Sequence, residues 1–296
     1  MKKLFAASLI FLFSFSLCRG QLPDTDIWLL QMKKKYTVYT LSGPVNITNR
    51  SGYDNQPAFS PEGTYMLYTS IREDGQADIY KYDLATKAIT AFCTTPESEY
   101  SPTFTPDKKF ISTVRVEKDS TQRLWKFPVN GGMPELVMKN VDSIGYHCWI
   151  NNDTLVLFIL TDPFTLQLAN VQTQKTTVVA DSIGKSLVRF RMMRSAGTLF
   201  IRTVKGKNMI CFTPLKLFRK NKFEVNEVIA LPEGSEYFCF YNNCLFCAVG
   251  GKIFMSEMMK DSGWTQIADL SASGITKITR LAISGDGMHM AIVNSK

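Results

Sequence analysis

The chain has 296 residues, a formal net charge of +8 and a hydrophobic fraction of 45%. A chain of this length buries a complete core, so its stability does not require disulfides or metal ions. The positive charge is mild and spread along the sequence, which argues against a dedicated nucleic-acid-binding protein.

The first element in chain order is a predicted signal peptide at residues 1–20. Lys2 and Lys3 precede an apolar run that ends too early for a membrane span. Cys18 and Gly20 place small residues at the −3 and −1 positions of a cleavage site before Gln21. Cleavage there removes three basic residues and lowers the formal charge from +8 to +5.

The sequence therefore predicts an exported protein, periplasmic or secreted, in which residues 21–296 form one domain without a transmembrane segment. Two alternatives stay open. One is an uncleaved anchor, and the other is lipidation of Cys18, which would attach the protein to the outer membrane. The mass of the mature protein distinguishes these cases.

A repeated hairpin runs through the remaining chain. It is clearest at residues 57–70 and 102–114, where Ser-Pro-Glu-Gly and Thr-Pro-Asp-Lys stand at the turn. Proline fixes φ and glycine closes a tight turn, as a hairpin requires. Matched turn positions recur after 45, 45 and 44 residues, and after 43 in the last pair. Weaker copies lie at residues 148–158, 190–201, 238–248 and 281–292.

A second hairpin alternates with the first. Its opening strand is a short run of alternating β-branched or aromatic residues, without helical periodicity. The six copies of this strand lie at residues 26–30, 78–82, 123–127, 165–168, 209–212 and 253–256.

The two hairpins are out of phase at the chain ends. The chain begins with the second kind and finishes on the first, so a linear stack would expose strand edges. Pairing residues near 279–294 with those near 26–48 closes a ring of six four-stranded antiparallel units. This predicts an all-β fold, a six-bladed β-propeller. A two-sheet sandwich is the alternative, but it does not explain the regular spacing.

The repeat Pro-x-Phe-Ser-Pro-x-Gly, followed by Tyr-x-Ser and then Asp-Ile-Tyr, resembles the WD40-like repeat of TolB-type propellers. The resemblance spans residues 21–296 and is strongest at 57–93 and 102–138. It implies a propeller of the Gram-negative cell envelope. About five residues precede the first strand, so the separate N-terminal domain of TolB is not expected here.

Six cysteines follow the signal peptide, and Cys244 and Cys247 form a C-x-x-C. They lie in an apolar strand, where residues three apart point to opposite faces. We therefore interpret them as buried free thiols rather than as a redox motif.

Catalytic motifs are scarce. The sequence contains only two histidines, no zinc-type Cys/His spacing and no Gly-x-Ser-x-Gly elbow. Polar and aromatic residues nevertheless recur just before the inner strand of several repeats, and such positions converge near the mouth of a propeller channel. Loop residue Arg72 lies on the same face. The candidate ligand-binding residues of this rim are Asp54, Asn55, Arg72, Glu99, Tyr100, Tyr146, His147, Glu236 and Tyr237.

Two functions compete for this rim. The first is a non-catalytic binding or scaffold protein, without a cofactor, that recognises an envelope protein, peptide or glycan. It would act as a monomer or within a complex. The alternative is a calcium-dependent hydrolase or lyase that acts on a sugar derivative, with Asp54, Glu99, His147 and Glu236 converging at the channel mouth.

Overall fold

The computed structural model describes residues 23–192, 195–214, 223–258, 260 and 263–296. The predicted signal peptide and Cys18 lie outside these ranges. In the first half, the strands are β1 (Thr25–Lys35), β2 (Val38–Asn46), β3 (Tyr53–Phe59), β4 (Tyr65–Ile71), β5 (Ala77–Asp83), β6 (Ile89–Cys93), β7 (Ser98–Phe104), β8 (Phe110–Val116), β9 (Gln122–Pro128), β10 (Glu135–Leu136), β11 (Ile144–Asn151) and β12 (Thr154–Ile159). In the second half, they are β13 (Thr165–Asn170), β14 (Lys175–Asp181), β15 (Ile183–Met192), β16 (Ser195–Val204), β17 (Lys207–Pro214), β18 (Asn226–Ala230), β19 (Phe238–Tyr241), β20 (Cys244–Val249), β21 (Lys252–Glu257), β22 (Thr265–Asp269), β23 (Ile278–Ile283) and β24 (His289–Ser295).

Four sheets are four-stranded antiparallel meanders, formed by β7–β10, β11–β14, β15–β18 and β19–β22. The predicted all-β class is therefore confirmed. All six copies of the second-hairpin strand lie within strands, namely β1, β5, β9, β13, β17 and β21. A 3-10 turn occupies Ser271–Ser273. Within the described ranges, no helix has the length and apolar character needed to cross a membrane.

The first and last described strands meet in the remaining sheet. Strand β24 pairs antiparallel with β1 over seven residue pairs, from Thr25 with Ser295 to Gln31 with His289. The order β23-β24-β1-β2 repeats the four-stranded unit, but one parallel bridge from Thr25 to Tyr53 joins it to β3–β6. The result is one mixed eight-stranded sheet rather than a separate antiparallel unit.

The first strands of successive units are neighbours. Strand β3 contacts β7, β7 contacts β11, and β11 contacts β15; β15 then contacts β19, β19 contacts β23, and β23 contacts β3. These inner strands surround the cavities that form the candidate site.

Among the described residues, the core is divided into six hydrophobic clusters, each between two successive units. Alternation along a strand explains this division, because neighbouring side chains point to opposite faces. On β20, Leu245 packs towards the preceding unit and Phe246 towards the following one. Cys244 and Cys247 likewise lie in different clusters, as the alternation predicts, and both are free thiols.

Candidate functional site

Two adjoining cavities lie among the inner strands and share part of their lining. The one whose wall includes Tyr53, Asn55 and Glu236, which we call the mouth cavity, has a volume of about 500 Å³. The inner cavity has about 280 Å³ and includes Gln56, Ser101 and His147. Four polar residues line both cavities: Tyr146, Lys185, Tyr237 and Arg280.

Arg280 contacts two of the other shared residues, Tyr237 and Tyr146. It lies on β23, and its Nη2 donates a hydrogen bond to the hydroxyl of Tyr237 at 2.9 Å. The guanidinium carbon is 4.4 Å from the centre of the Tyr237 ring and 5.4 Å from that of Tyr146. Aromatic faces attract cations, so the two rings fix the arginine without neutralising its charge.

The phenols respond to this charge in different ways. Burial alone would raise the pKa of Tyr146, but the charge of Arg280, a hydrogen bond with Tyr237 and the charge of Lys185 together lower that pKa below 10.0. Burial raises the pKa of Tyr237 and of Tyr53, with Arg280 opposing the shift in both. Of these three phenols, Tyr146 is the one whose pKa is lowered.

The structure places Asp54 behind the cavity wall rather than in it. Its Oδ1 accepts a hydrogen bond from Arg50 Nη2 at 2.9 Å, and the same nitrogen lies 2.7 Å from Ser70 Oγ. Asp54 is fully buried, and burial raises its pKa although Ser70 and Arg50 oppose the shift. A buried carboxylate needs such partners, so this one is engaged within its own sheet.

Glu99 occupies the matching position in the next unit and is engaged in the same way. Its Oε1 accepts hydrogen bonds from Arg115 Nε at 3.1 Å and from the hydroxyl of Thr95. Arg115 also pairs with Glu97 at 3.2 Å and lies over the ring of Trp125. Burial raises the pKa of Glu99 to about 7, against the effects of Thr95 and Arg115.

His147 lines the inner cavity, but its ring is held by neighbours. Its Nε2 lies 2.7 Å from Ser112 Oγ, which also accepts a hydrogen bond from Trp149 Nε1 at 2.8 Å. Burial lowers the pKa of His147 to about 3, so the imidazole is neutral at physiological pH. Ser112 is fully buried. The Ser112–His147 contact is therefore a buried hydrogen bond between side chains of neighbouring units.

Of the nine rim candidates, Asn55, Tyr146, Glu236 and Tyr237 line the mouth cavity, and Tyr146, Tyr237 and His147 line the inner one. The other four line neither cavity. Arg72 stacks on Tyr80 at 4.0 Å beside a separate small cavity of about 210 Å³, and Tyr100 packs against a hydrophobic cluster. The carboxylates of Asp54 and Glu99 form ion pairs with arginines. The expected convergence of Asp54 and Glu99 on the mouth therefore does not occur.

Sequence reasoning missed Tyr53, Lys185 and Arg280. A signal for Arg280 was present in the repeat, because it stands four residues before the turn position Ser284. Tyr237 stands four residues before the matched position Tyr241. Lys185 lies in a unit whose repeat is degenerate, and its register in β15 is irregular.

The described residues offer little support for a metal site. No group of three or more His, Cys, Asp and Glu side chains among them is arranged to hold a metal ion. Calcium prefers several carboxylate and carbonyl oxygens, and the carboxylates of Asp54 and Glu99 already face arginines. These two residues do not fit a calcium site.

No protein-family model and no curated protein sequence matches this chain. Solved structures do. A protein assigned as TolB from Agrobacterium tumefaciens superposes with a TM-score of 0.65 at 13% identity, covering 93% of this chain and 99% of that one. TolB from Acinetobacter baumannii gives a TM-score of 0.55 at 13% identity, covering 92% and 64%. An oligogalacturonate lyase from Vibrio parahaemolyticus gives 0.55 at 14% identity, covering 87% and 83%.

At these identities the similarity concerns the fold and not the activity. The neighbours include a lyase as well as TolB proteins, and the same scaffold carries both. Together with the antiparallel four-stranded units and the contacts between the first strands of successive units, they show that the chain is a TolB-like β-propeller.

Proposed function

We propose that this chain is a non-catalytic, six-bladed binding propeller of the cell envelope, which takes part of a protein, peptide or glycan ligand into the mouth cavity. Two features support the blade count and the closure. Six hydrophobic clusters join successive units, and β24 pairs with β1 across the chain ends. On this interpretation the eight-stranded sheet is two blades linked by the Thr25–Tyr53 bridge.

The observation that carries the binding function is the composition of the mouth cavity. Its volume of about 500 Å³ is within the range of small-ligand sites, and Tyr53, Tyr146 and Tyr237 supply flat faces and hydroxyls. Tyrosine gives a large contact area at a low entropic cost. Asn55 and Glu236 add polar groups that orient a ligand.

The candidate catalytic groups support binding over chemistry. Asp54 and Glu99 are held by arginines, and His147 is held by Ser112. A general acid or base must reach the substrate within hydrogen-bond distance, and these side chains do not line the mouth cavity. Glu236 does line the mouth cavity. Its carboxylate is exposed and forms no ion pair with any residue that the structure describes.

The alternative is a calcium-dependent hydrolase or lyase acting on a sugar derivative. It draws support from one neighbour of this fold, which is an oligogalacturonate lyase. Under that function the ligand would leave the site chemically changed, whereas a binding protein returns it intact.

We also propose that the protein is exported, with cleavage before Gln21 and residence in the periplasm or at the outer membrane. The charged start and apolar run of residues 1–20 support this location. Intact-mass measurement of the protein recovered from the envelope checks it: loss of residues 1–20 is expected, and an unprocessed chain would contradict it.

A retention experiment tests the binding function. The protein is immobilised, exposed to solubilised envelope extract, and the retained species are identified by mass spectrometry before and after prolonged incubation. Glu236→Trp places a bulky ring at an exposed position of the mouth and is expected to abolish retention. Recovery of a converted species would favour the enzyme.

Lys175→Trp is the matched control. Lys175 pairs with Asn170, which pairs with Thr154, which in turn pairs with Asn151. This register places Lys175 at one end of its sheet and Tyr146 near the other end. Retention equal to that of the parent protein is expected for this variant, and equal loss in both variants would contradict a site at the mouth.

A further inference from the structure

Arg280 differs from the other arginines that reach the interior. Arg50 and Arg115 are each paired with a buried carboxylate of their own sheet. Arg280 forms no ion pair with any carboxylate that the structure describes. Its partners are the phenols of Tyr237 and Tyr146. A guanidinium carries five N–H donors, so donors remain for a molecule in the cavity.

The mouth cavity as a whole is also positively charged. Arg280, Lys185 and Lys277 line it, against the single carboxylate of Glu236. Lys185 and Lys277 are exposed, and neither forms an ion pair in the described ranges. A cleft lined by one sign of charge concentrates ligands of the opposite sign.

We infer that the mouth cavity binds a carboxylate of the ligand, with Arg280 as the fixed anchor and Lys185 as the flexible second cation. The planar guanidinium matches the two oxygens of a carboxylate, and the flanking tyrosine rings hold it ready for that contact. This inference rests on the proposed binding function and adds the chemical class of the ligand.

The carboxylate has two chemical sources that fit a cavity of this size, the free C-terminus of a peptide and a uronic acid of a glycan. Four probes separate them: an acetylated dipeptide with a free carboxyl group, the same dipeptide as its amide, a uronic-acid disaccharide, and its neutral counterpart. Dissociation constants are obtained by ligand-observed NMR titration with the purified protein.

At least one acidic probe is expected to bind about 10- to 100-fold more tightly than its neutral counterpart, the range typical of hydrogen bonds between charged groups. Arg280→Gln is expected to remove this preference, and Arg280→Lys to restore only part of it because the planar fork is lost. Lys185→Gln is expected to weaken the acidic probe a few-fold, in keeping with an exposed charge. Lys175→Gln, at the opposite end of the sheet, is the control and is expected to leave binding unchanged.

Lys185 is exposed, so its variant tests the inference even if Arg280→Gln does not fold. Equal binding of acidic and neutral probes overturns the carboxylate inference and leaves the binding function standing. Failure of both acidic probes to bind the parent protein also overturns the carboxylate inference. The same holds if the preference for acidic probes survives both Arg280→Gln and Lys185→Gln. Conversion of a bound acidic probe would instead refute the non-catalytic function while keeping the carboxylate site.

Discussion

Removing β24 is expected to unfold the protein as a whole. The change is a chain that ends at Met288, which lacks His289–Ser295 and the final lysine. Those seven residues form the antiparallel pairing with β1 and separate two hydrophobic clusters. Met290 and Ile292 pack into the cluster on one side, and Ala291 and Val293 into the cluster on the other.

The magnitude follows from these side chains. Met290, Ile292 and Val293 are fully buried, and burying one side chain of this kind contributes about 1.5–3 kcal/mol. Together they contribute roughly 5–9 kcal/mol, before the lost strand pairing is counted. A native domain is stable by about 5–15 kcal/mol, so the truncation removes much or all of this margin.

Urea denaturation, followed by circular dichroism and tryptophan fluorescence, measures the effect. Ile292→Ala is the graded version and is expected to lower the free energy of unfolding by about 2–5 kcal/mol. Ile89→Ala is the matched control, because Ile89 is 38% exposed and should cost less than about 1 kcal/mol. A truncated chain that unfolds cooperatively at the urea midpoint of the full-length protein would refute the reasoning.

Three further predictions concern titratable groups. Burial raises the pKa of Glu99 from 4.5 to about 7. The folded state therefore keeps a proton that the unfolded state releases, and this stabilisation is present below about pH 4.5 and is lost as the pH rises to about 7. In the parent protein, the free energy of unfolding should fall between about pH 5 and about pH 8, and Glu99→Gln should reduce this fall by about 3 kcal/mol in urea titrations. An unchanged pH dependence in the variant would contradict this. Burial also raises the pKa of all six described cysteines. A thiol reagent at mildly alkaline pH should therefore label these cysteines slowly in the native protein and fully in denaturant. Fast labelling of the native protein would contradict the buried positions of these thiols. The charge of Arg280 lowers the pKa of Tyr146, so Arg280→Gln should shift the ionisation of this phenol to higher pH in an ultraviolet titration, and Tyr146→Phe should remove it. A titration curve identical to that of the parent protein in both variants would speak against the Arg280–Tyr146 contact.

The strands were predictable because their signals are local. Alternating apolar residues and turns such as Ser60-Pro-Glu-Gly63 specify hairpins from a few neighbouring positions. Regular spacing then indicated which hairpins are equivalent, and pairing of the chain ends followed from their phase. The extra bridge from Thr25 to Tyr53 had no local signal, since it depends on how two units approach each other.

The candidate site was only partly predictable, because it depends on side-chain contacts between distant residues. Tyr237 was identified from its repeat position, but its partner Arg280 lies 43 residues away in another unit. Asp54 and Glu99 were expected at the mouth because the backbone brings them near it. Their carboxylates instead face Arg50 and Arg115, since a buried charge is stable only with a partner.

Chemical protection of Lys185 tests the central claim most directly. The protein is treated with an amine-acetylating reagent in the presence and absence of the species retained from envelope extract, and labelled lysines are quantified by mass spectrometry. If the ligand occupies the mouth cavity, it should protect Lys185 and leave Lys175 equally labelled in both samples, because Lys185 lines that cavity and Lys175 does not. Equal labelling of Lys185 with and without saturating ligand would contradict binding at the mouth.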